Sequence, residues 1–522
     1  MNIREENIPK ALIILLLVSI VIRGFLAAFF ELGNDEVYYW TFALYPDWSH
    51  FDHPGMVGWM MQLFSCNLLF DSEFFLRLSS VVLMTVDTWL IYLIGKEIKN
   101  KITGFYTALL YTASLYAFII TGVFIMPDTP LMFFLLLSVL FFIRYFKNKQ
   151  NASSNSHGCA YLLLAALCAG LAMLSKYSAV FIWVGIGLYI LIYDRKELKN
   201  GYLYLAILIS AICLLPILIW NLQHDFASFT FHGNRVSLFG KPRFDYFGAE
   251  LAGELIYNNP IVYILIIIAL VSFFKTKASR ANTVSRLLVL TALPWVGLFL
   301  YFSLTRQTLP HWSAPALCLL IPMAGAWLAE RQENMTGLYR IPAVIIAALL
   351  LMLTAVGIGS FEIKTGRIQS LFASNKPTPI YTMGTGDITL DMYGWEQKRK
   401  GFEAVRDSLI ALGEMRADNG IIAVNWFPAA NIDYYIARPL GLQLYTLGDL
   451  ENTHKYQWIN EQRGGIQKGE NYWFLNQSHN YSDPCWRLKP NFESVTPIDT
   501  FPIYRCGRVV EYVCVYKLEG KK

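Results

Sequence analysis

The sequence predicts a polytopic α-helical membrane protein that ends in a small extracytoplasmic α/β domain. Hydrophobic residues make up 55% of the 522 residues and charged residues only 16%, whereas about a quarter of a soluble protein is charged. Apolar runs of the roughly 20 residues that cross a bilayer recur from Ala11 to Ser360. Hydropathy falls sharply after Phe361. We therefore expect a membrane domain over residues 1–360 and a soluble domain over 361–522.

Eleven apolar runs are interpreted as membrane spans, several of them close to the minimum length. They lie at residues 11–30, 77–95, 105–123, 130–146, 159–175, 177–193, 202–220, 259–274, 287–305, 312–329 and 341–360. The first run is too long, and too well embedded in this pattern, to be a cleaved signal peptide.

The distribution of Lys and Arg predicts the orientation of the spans. Alternate loops are basic, and the intervening loops are acidic, aromatic or short. The basic residues are Lys96, Lys99, Lys101, Arg144, Lys147, Lys149, Arg195, Lys196, Lys199, Lys275, Lys277, Arg280 and Arg286. Cytoplasmic loops are enriched in Lys and Arg, so these loops and the N-terminus are expected in the cytoplasm, and an odd number of spans places residues 361–522 outside. The net charge of +5 reflects this bias and gives no indication of nucleic-acid binding.

In the soluble domain, the spacing of apolar residues predicts a helix over 402–417 and strands over 420–425 and 508–517. Cys485, Cys506 and Cys514 lie in this domain. An oxidising compartment would permit one disulfide among them, and any of the three pairings satisfies the sequence. No CxxC or HxxxH spacing typical of a metal site occurs in the chain.

The first outer loop, residues 31–76, has an unusual composition. It holds seven carboxylates and no Lys or Arg, and it includes the run Gly33-Asn34-Asp35-Glu36-Val37-Tyr38-Tyr39-Trp40. A carboxylate pair beside a membrane helix, among aromatic residues that favour the bilayer interface, is energetically unfavourable and is therefore expected only where it has a function. The pattern therefore indicates chemistry at the membrane surface. The alternative is an acidic loop that only satisfies topology.

Other ionisable residues collect at the predicted outer ends of the spans. They are Asp52, His53, Arg77, Asp128, Lys176, Arg235, Arg306 and His311. Singly, each fits a solvated or capping role. Asp128, for example, stands two residues before Pro130 and suits a helix start. Together, a carboxylate base and cations suited to a phosphate describe an external site.

Six motifs, taken in order, resemble membrane glycosyltransferases of the GT-C architecture. They are Asn34-Asp35-Glu36-Val37-Tyr38-Tyr39-Trp40, Phe51-Asp52-His53-Pro54, Arg77-Leu78-Ser79, Pro127-Asp128-Thr129-Pro130, Leu174-Ser175-Lys176-Tyr177 and Leu309-Pro310-His311-Trp312-Ser313-Ala314-Pro315. The chain is most similar to the bacterial branch with lipid A aminoarabinose transferase and rhizobial galacturonosyltransferases (glycosyltransferase family 83). Protein O-mannosyltransferases are more distant relatives. Gly55 stands where relatives often have a second proline, a departure that affects loop stiffness rather than chemistry.

The resemblance implies a polyprenyl-phosphate sugar donor, undecaprenyl phosphate by preference, and a bacterial inner-membrane protein with a periplasmic C-terminal domain. It implies Asp35 as the catalytic base, with Glu36 and Asp128 orienting the acceptor or the site. The implied donor-phosphate contacts are Arg77, Lys176, Arg235 and Arg306, and the implied substrate contacts are Tyr38, Asp52, His53 and His311.

The chemistry of such a transfer fits these residue types. A departing lipid phosphate is already a stable anion, so the reaction needs a base for the acceptor hydroxyl and cations for the phosphate. The acid/base pair of a glycosidase is not required, and a single displacement inverts the anomeric centre. An acidic cluster could also bind a divalent cation, as in some relatives, although no spacing here requires one.

Several alternatives stay open at this point. The sugar is undetermined, and the acceptor is lipid A, another glycolipid, a growing glycan or a protein hydroxyl. A transporter of envelope lipids or glycans, or a non-catalytic assembly protein, would also be multi-pass. A transporter should have paired repeats and polar residues near the bilayer midplane. Asp87 lies near the middle of the second span, whereas Arg23, in the outer half of the first, either snorkels to the interface or pairs.

Overall fold

The computed structural model describes residues 2–150, 157–235, 240–332, 338–372 and 379–522. It is predominantly helical up to residue 365. In chain order the helices of this part are α1 (Ile8–Phe29), α2 (Asn34–Leu44), α3 (Met56–Phe64), α4 (Glu73–Ile98), α5 (Lys101–Ala113), α6 (Asp128–Gln150), α7 (His157–Met173), α8 (Phe181–Tyr193), α9 (Gly201–Ile212), α10 (Leu215–Gln223), α11 (Ala227–Arg235), α12 (Phe244–Tyr257), α13 (Pro260–Lys275), α14 (Lys277–Ala281), α15 (Thr283–Ser303), α16 (Ala314–Glu330) and α17 (Ala343–Thr365).

The remainder of the chain alternates short helices with strands. The helices are α18 (Arg367–Phe372), α19 (Trp395–Ala411), α20 (Trp426–Ile432), α21 (Leu450–Thr453), α22 (Tyr456–Gln462) and α23 (Pro484–Arg487). The strands of this remainder are β3 (Ile421–Ala423), β4 (Leu444–Thr446), β5 (Tyr472–Gln477), β6 (Phe492–Arg505) and β7 (Arg508–Lys521). Two further short strands, β1 (Asn2–Arg4) and β2 (Leu338–Arg340), lie in the helical part and pair with each other.

Contacts between residues divide the chain into two compact units. The first unit comprises Met1–Ala28 and Pro46–Thr354, and the second comprises Phe29–Tyr45 and Ala355–Lys522. Helix α2, with Asp35 and Glu36, therefore belongs to the second unit. Hydropathy does not detect this grouping, because it depends on contacts between segments about 400 residues apart, such as the 2.6 Å hydrogen bond from the Leu32 N–H to the Tyr435 hydroxyl.

Each of the eleven predicted spans overlaps a helix or a pair of helices. By length and composition, six helical segments of the described residues could cross a membrane: Glu5–Phe29, Glu73–Ile98, Asp128–Gln150, Gly201–Gln223, Thr283–Ser303 and Ala343–Thr365. The pair α12 and α13 is a seventh candidate, bent by 103° at its break, and α7, α8 and α16 are shorter apolar helices. The prediction of several membrane spans is confirmed, whereas the number eleven stays a prediction.

The helices of the first unit pack closely where small residues meet. Gly95 of α4 and Gly325 of α16 both face the Thr107 side chain of α5, so closely that a Cβ atom at either position would clash with its hydroxyl. Small residues at such contacts let helix backbones approach in a membrane protein. Arg23 and Asp87 are both fully buried in this unit, and the Arg23 guanidinium lies 4.6 Å from the centroid of the Phe118 ring. Arg23 therefore does not snorkel.

The second unit contains a five-stranded mixed sheet with the order β4-β3-β5-β7-β6. Strands β4, β3 and β5 are parallel, whereas β7 is antiparallel to both β5 and β6. The prediction of a small α/β domain is confirmed. The predicted strands at 420–425 and 508–517 correspond to β3 and β7, and the predicted helix corresponds to α19, which begins seven residues earlier than the prediction.

The expectation of a disulfide in this domain is wrong, because all eight cysteines are free thiols in the structure. Cys506 lies in the turn before β7, and Cys514 lies well inside that strand, paired opposite Asn476 of β5. Residues of a strand are about 3.3 Å apart along its axis, so these two cysteines are far beyond the roughly 7 Å between Cα atoms that a disulfide spans.

Candidate active site

Four of the sequence motifs meet around Lys176 in the first unit. Lys176 follows α7, and its ammonium contacts Asp128, the first residue of α6. His53 lies in the loop before α3, and His311 lies in the turn before α16. Both are close enough for the charges of Lys176 and Asp128 to affect their pKa values. The structure therefore brings together Asp128, Lys176, His53 and His311, which the sequence predicts as site residues.

The ion pair between Lys176 and Asp128 is buried. Lys176 Nζ lies 2.8 Å from Asp128 Oδ2 and 3.0 Å from Oδ1, and the Tyr116 hydroxyl donates to Oδ1 at 2.8 Å. Asp128 is 1% exposed and Lys176 8%. Asp128 thus does more than begin a helix. Of the three donors of the ammonium, the carboxylate takes two.

The two histidines beside this pair are neutral at pH 7. Burial, reinforced by the ammonium of Lys176, lowers the pKa of His311 to about 4. Burial, again reinforced by the Lys176 ammonium, lowers the pKa of His53 well below its ordinary value. Both imidazoles therefore contribute a hydrogen-bond donor and an acceptor to the cluster, but no charge.

The loop that carries Asp52 and His53 is held by α11. The His232 ring donates from Nε2 to the Asp52 carbonyl at 2.9 Å and lies 5.1 Å from the Tyr177 ring, next to Lys176 in the chain. The Tyr177 hydroxyl also lies 3.0 Å from Ser228 Oγ. Helix α11 thus connects the loop with the turn after α7. His232 belongs to none of the sequence motifs described above.

The remaining predicted cations occupy different environments. Arg306 is half-buried and lies over the rings of Phe302 and Trp312, at 4.8 and 5.9 Å from their centroids. Arg77 is fully buried in α4 and donates from Nη1 to the Ala27 carbonyl at 3.0 Å. The side chain of Arg235 lies outside the described part of the structure.

In the second unit, Asp35 lies exposed in the first turn of α2. Its neighbour Glu36 is buried and accepts a hydrogen bond from the Gly33 N–H at 2.9 Å, which satisfies one of the otherwise unpaired N–H groups at the start of the helix. Tyr38 is also buried, and its ring packs 5.0 Å from Trp426. The adjacent carboxylates thus have different surroundings: one faces solvent and the other caps the helix.

Helix α2 is fixed at both ends by residues from the rest of the second unit. At its start, Asn34 Nδ2 donates to Asp391 Oδ2 at 2.7 Å. At its end, the Lys455 ammonium donates to the carbonyls of Thr41 and Tyr45 at 3.0 and 2.5 Å, where a cation is favoured by the helix dipole. The position of Asp35 is thus determined by a rigid helix rather than by a loop.

Asp391 links α2 to a row of buried ionisable residues. His479 Nε2 lies 3.3 Å from Asp391 Oδ1, His479 Nδ1 lies 2.6 Å from Glu511 Oε1, and Lys398 Nζ lies 2.9 Å from Glu511 Oε2. The hydrogen bonds to Asp391 and Glu511 raise the pKa of His479 against the opposing effect of burial. Lys398 and His479 lower the pKa of Glu511, again against burial.

This network leaves no signal in the sequence. Asp391, Lys398, His479 and Glu511 are spread over 120 residues and form no motif. Lys398 occupies an ordinary position in a charged stretch of α19, and Glu511 follows strand residues that are only half-buried. Their burial is visible only once the sheet and α19 are assembled.

The residues of the site do not fit a divalent metal ion. Among the described residues, no group of three or more His, Cys, Asp and Glu side chains is arranged to ligate one. The carboxylate of Asp128, which would be the natural oxygen ligand in the first unit, is already bound by an ammonium and a tyrosine hydroxyl.

Two sequence comparisons match glycosyltransferases. The family described as dolichyl-phosphate-mannose-protein mannosyltransferase matches residues 52–220, which contain the motifs at Asp52, Arg77, Asp128 and Lys176. The lipid A galacturonosyltransferase RgtD of Rhizobium johnstonii is 23% identical over 288 residues, which are 54% of this chain. The chain spans about 57% of the length of that relative.

Comparison with solved structures covers nearly the whole chain. ArnT from Cupriavidus metallidurans in the apo state is 13% identical, with a TM-score of 0.60, and the similarity covers 97% of this chain and 98% of ArnT. The same protein bound to undecaprenyl phosphate gives a TM-score of 0.61 at 12% identity, with 97% of each chain covered. The resemblance indicated by the ordered motifs is confirmed, and the chain has the GT-C fold of ArnT, with several apolar membrane helices and a C-terminal sheet domain.

Proposed function

We propose that this chain is an inverting glycosyltransferase that moves a sugar from a polyprenyl-phosphate donor to an envelope acceptor, either lipid A, another glycolipid or a glycan. The reaction takes place at the outer face of the bacterial inner membrane, with the second unit in the periplasm. The observation that carries the proposal is the convergence of four separate motifs on the buried pair of Lys176 and Asp128, with two neutral histidines beside it.

The relatives support both substrates of this reaction. ArnT of similar fold has been solved with undecaprenyl phosphate bound, which supports a polyprenyl-phosphate donor. RgtD is a lipid A galacturonosyltransferase, which supports lipid A as the acceptor. The sugar is not specified by either comparison.

In the proposed mechanism, Asp35 takes the proton from the acceptor hydroxyl. The acceptor oxygen attacks the anomeric carbon, and the bond between that carbon and the phosphate oxygen breaks, so that the bonding electrons leave with the polyprenyl phosphate. Because one displacement occurs, the configuration at the anomeric carbon inverts. An aspartate suits this role because its side chain ends in a carboxyl group that can accept the proton and is solvent-exposed, and a positioned base contributes typically about 10²–10⁴-fold to such a step.

The cluster in the first unit is proposed to bind the donor phosphate. The third donor of the Lys176 ammonium, the Arg306 guanidinium and the N–H groups of His53 and His311 supply hydrogen bonds to an anion. Asp128 orients Lys176 and moderates its charge, which favours release of the product phosphate. Arg77, which donates to a backbone carbonyl, is proposed to fix α4 rather than to contact the phosphate, and Arg235 stays a proposed contact.

A protein hydroxyl is the second candidate for the acceptor. The family that matches residues 52–220 is described as one of protein mannosyltransferases, and the proposed chemistry is the same for a serine or threonine hydroxyl. The two acceptor classes therefore differ in product rather than in mechanism.

Mass spectrometry of envelope glycolipids and glycoproteins tests the proposal. Cells with the parent chain, without it and with an Asp35→Asn variant are compared. We expect one glycolipid or glycan to lose one sugar residue in both deficient strains. The same loss confined to glycoproteins would assign the protein acceptor, and identical envelopes in all three strains would contradict the proposed function.

A further inference from the structure

The second unit contains a cleft that the proposed transfer reaction does not use. It has a volume of about 360 Å³ and lies where β3 and β5 end. Its lining includes Asn425, Trp426, Asn452, Gln477 and Arg487. We propose that this cleft is a saccharide-binding site.

The topology of the sheet favours a ligand at this position. From β3 the chain first adds β4 on one side and then crosses to add β5 on the other, all three strands running in parallel. The connection that leaves β3 therefore runs to one side of the sheet, towards β4, whereas the connection that leaves β5 runs to the other side, towards β6 and β7. In open α/β sheets, ligands bind in the crevice outside the carboxyl ends of the strands where the strand order reverses.

A buried polar atom at this edge lacks a partner. Gln477, the last residue of β5, is 2% exposed, and its Oε1 atom accepts no hydrogen bond from the described residues. A buried acceptor without a partner costs about 1–3 kcal/mol. Because Gln477 also lines the cleft, rotation of its amide towards a ligand hydroxyl would recover that cost. Arg487 Nη1 donates to Asn425 Oδ1 at 2.9 Å, which fixes two side chains of residues that line the cleft.

The chemistry of the lining matches sugar hydroxyls. Side-chain amides carry both donors and an acceptor, and the residues that line the cleft include Asn425, Asn452, Asn476, Gln477 and Asn480. The amide of Asn476 is already hydrogen-bonded to the Ser482 backbone through both its nitrogen and its oxygen, so the other four residues are the candidates for sugar hydroxyls. A sugar hydroxyl also donates and accepts. The aromatic rings of Trp426 and Phe427 supply flat apolar surface for the C–H face of a sugar ring.

The charges in the cleft disfavour the other ligand classes. One guanidinium, Arg487, is balanced by one carboxylate, Glu451, so a phosphate would gain little net attraction. The many amides would leave an acyl chain facing polar groups. A neutral or weakly acidic saccharide fits both conditions, whether it is a free sugar or a residue of an acceptor glycan.

Saturation-transfer NMR on the full-length chain in detergent tests this site. The probes are glucose, galactose and galacturonate, each titrated separately, and inorganic phosphate is added as a competitor because it has no carbon-bound protons to receive saturation. At least one saccharide is expected to receive saturation, with a dissociation constant in the millimolar range, and phosphate is expected not to displace that saccharide. Competition with a deacylated lipid A disaccharide shows where the bound saccharide comes from. If the disaccharide displaces the monosaccharide at a lower concentration than the monosaccharides themselves require, the ligand is an acceptor glycan. If it does not compete, the ligand is a free sugar.

Two accessible positions serve as variants, with a matched control. Asn452→Ala and Arg487→Ala should each weaken saccharide binding by about tenfold, a free-energy change of about 1.4 kcal/mol. Lys489→Ala, on an exposed residue just beyond α23 that does not line the cleft, should leave it unchanged. Asp35→Asn should also bind saccharide normally, so that a failure of this site can be distinguished from a failure of the proposed transfer reaction. Absence of saccharide binding, equal binding by all variants, or displacement by phosphate would overturn the proposal.

Discussion

The ammonium of Lys176 lies 2.8 and 3.0 Å from the two carboxylate oxygens of Asp128, in a buried position between α6 and α7. Removal of one partner of such a pair leaves an uncompensated buried charge, which typically costs about 3–5 kcal/mol. A stability loss alone therefore cannot separate a structural pair from one that also binds a phosphate.

Substituting each partner of the pair in turn distinguishes a structural role from phosphate binding. Lys176→Met should weaken undecaprenyl-phosphate binding by about tenfold or more, because the Coulomb attraction of the anion and a charge-assisted hydrogen bond are both lost. Asp128→Asn keeps the cation and removes its counter-charge, so donor affinity should be retained or increased. Binding is measured on purified protein in nanodiscs.

The double variant Lys176→Met, Asp128→Asn is the control for stability. It buries no unpaired charge and should unfold at a temperature nearer to that of the parent than Lys176→Met does. We expect it to be stable yet defective in donor binding. Parent-like affinity in this variant would make the pair purely structural.

At Arg306, the shape of the guanidinium should matter as well as its charge. Arg306→Lys keeps the cation but loses the planar donor fork and the stacking on Phe302 and Trp312. Donor affinity is expected to fall about tenfold. The matched substitution Arg77→Lys should instead lower thermal stability, because Arg77 donates to a buried backbone carbonyl. A donor defect confined to Arg77→Lys would reverse these assignments.

The second unit should lose stability as the pH rises above 6.5. The pKa of His479 is raised in the folded chain, so its contribution is complete below the ordinary value of 6.5 and disappears as the pH passes through the raised pKa. The pKa of Glu511 is lowered, so its contribution is present above 4.5 and is lost at lower pH. Thermal unfolding of the parent and of His479→Gln between pH 5 and 9 measures the difference, which should shrink towards high pH. A difference that stays constant or grows would show that His479 is not protonated in this network.

The orientation in the membrane is tested by reporter fusions. The enrichment of Lys and Arg in alternate loops predicts that a reporter after Phe361 is extracytoplasmic and that one after Lys101 is cytoplasmic. A cytoplasmic signal after Phe361 would place the second unit, and Asp35 with it, on the wrong side for a lipid-linked donor at the outer face.

Hydropathy predicted the helical membrane portion well because long apolar runs leave a local signal. Helix α12 was missed since Asp245, Glu250 and Glu254 lower its hydropathy, although both glutamates are buried by contacts with Thr308 and Ser313. Strand β6 was missed for a related reason: Pro497 and Pro502 argue against a strand, yet β6 is an edge strand, where proline is tolerated.

The candidate site was predictable only where a motif is local. The motifs at His53, Asp128, Lys176 and His311 are compact, and the structure assembles them into one cluster. The partition of Asp35 and Glu36 into an exposed carboxylate and a helix cap depends on the fold, because adjacent residues of a helix point in different directions. The network of His479 and Glu511 and the cleft at Gln477 arise from the sheet, so no single segment contains their signal.

The transfer rate of purified Asp35→Asn tests the central claim most directly. The substitution keeps the size of the side chain and removes its basicity. With undecaprenyl-phosphate sugar and the acceptor identified by mass spectrometry, turnover should fall by roughly 10²-fold or more, while donor affinity stays that of the parent. Glu36→Gln, at a buried capping position, and Asp418→Asn, at an exposed site in the second unit, should both lose much less. Near-parent turnover by Asp35→Asn would contradict the account and leave Glu36 or Asp128 as the base.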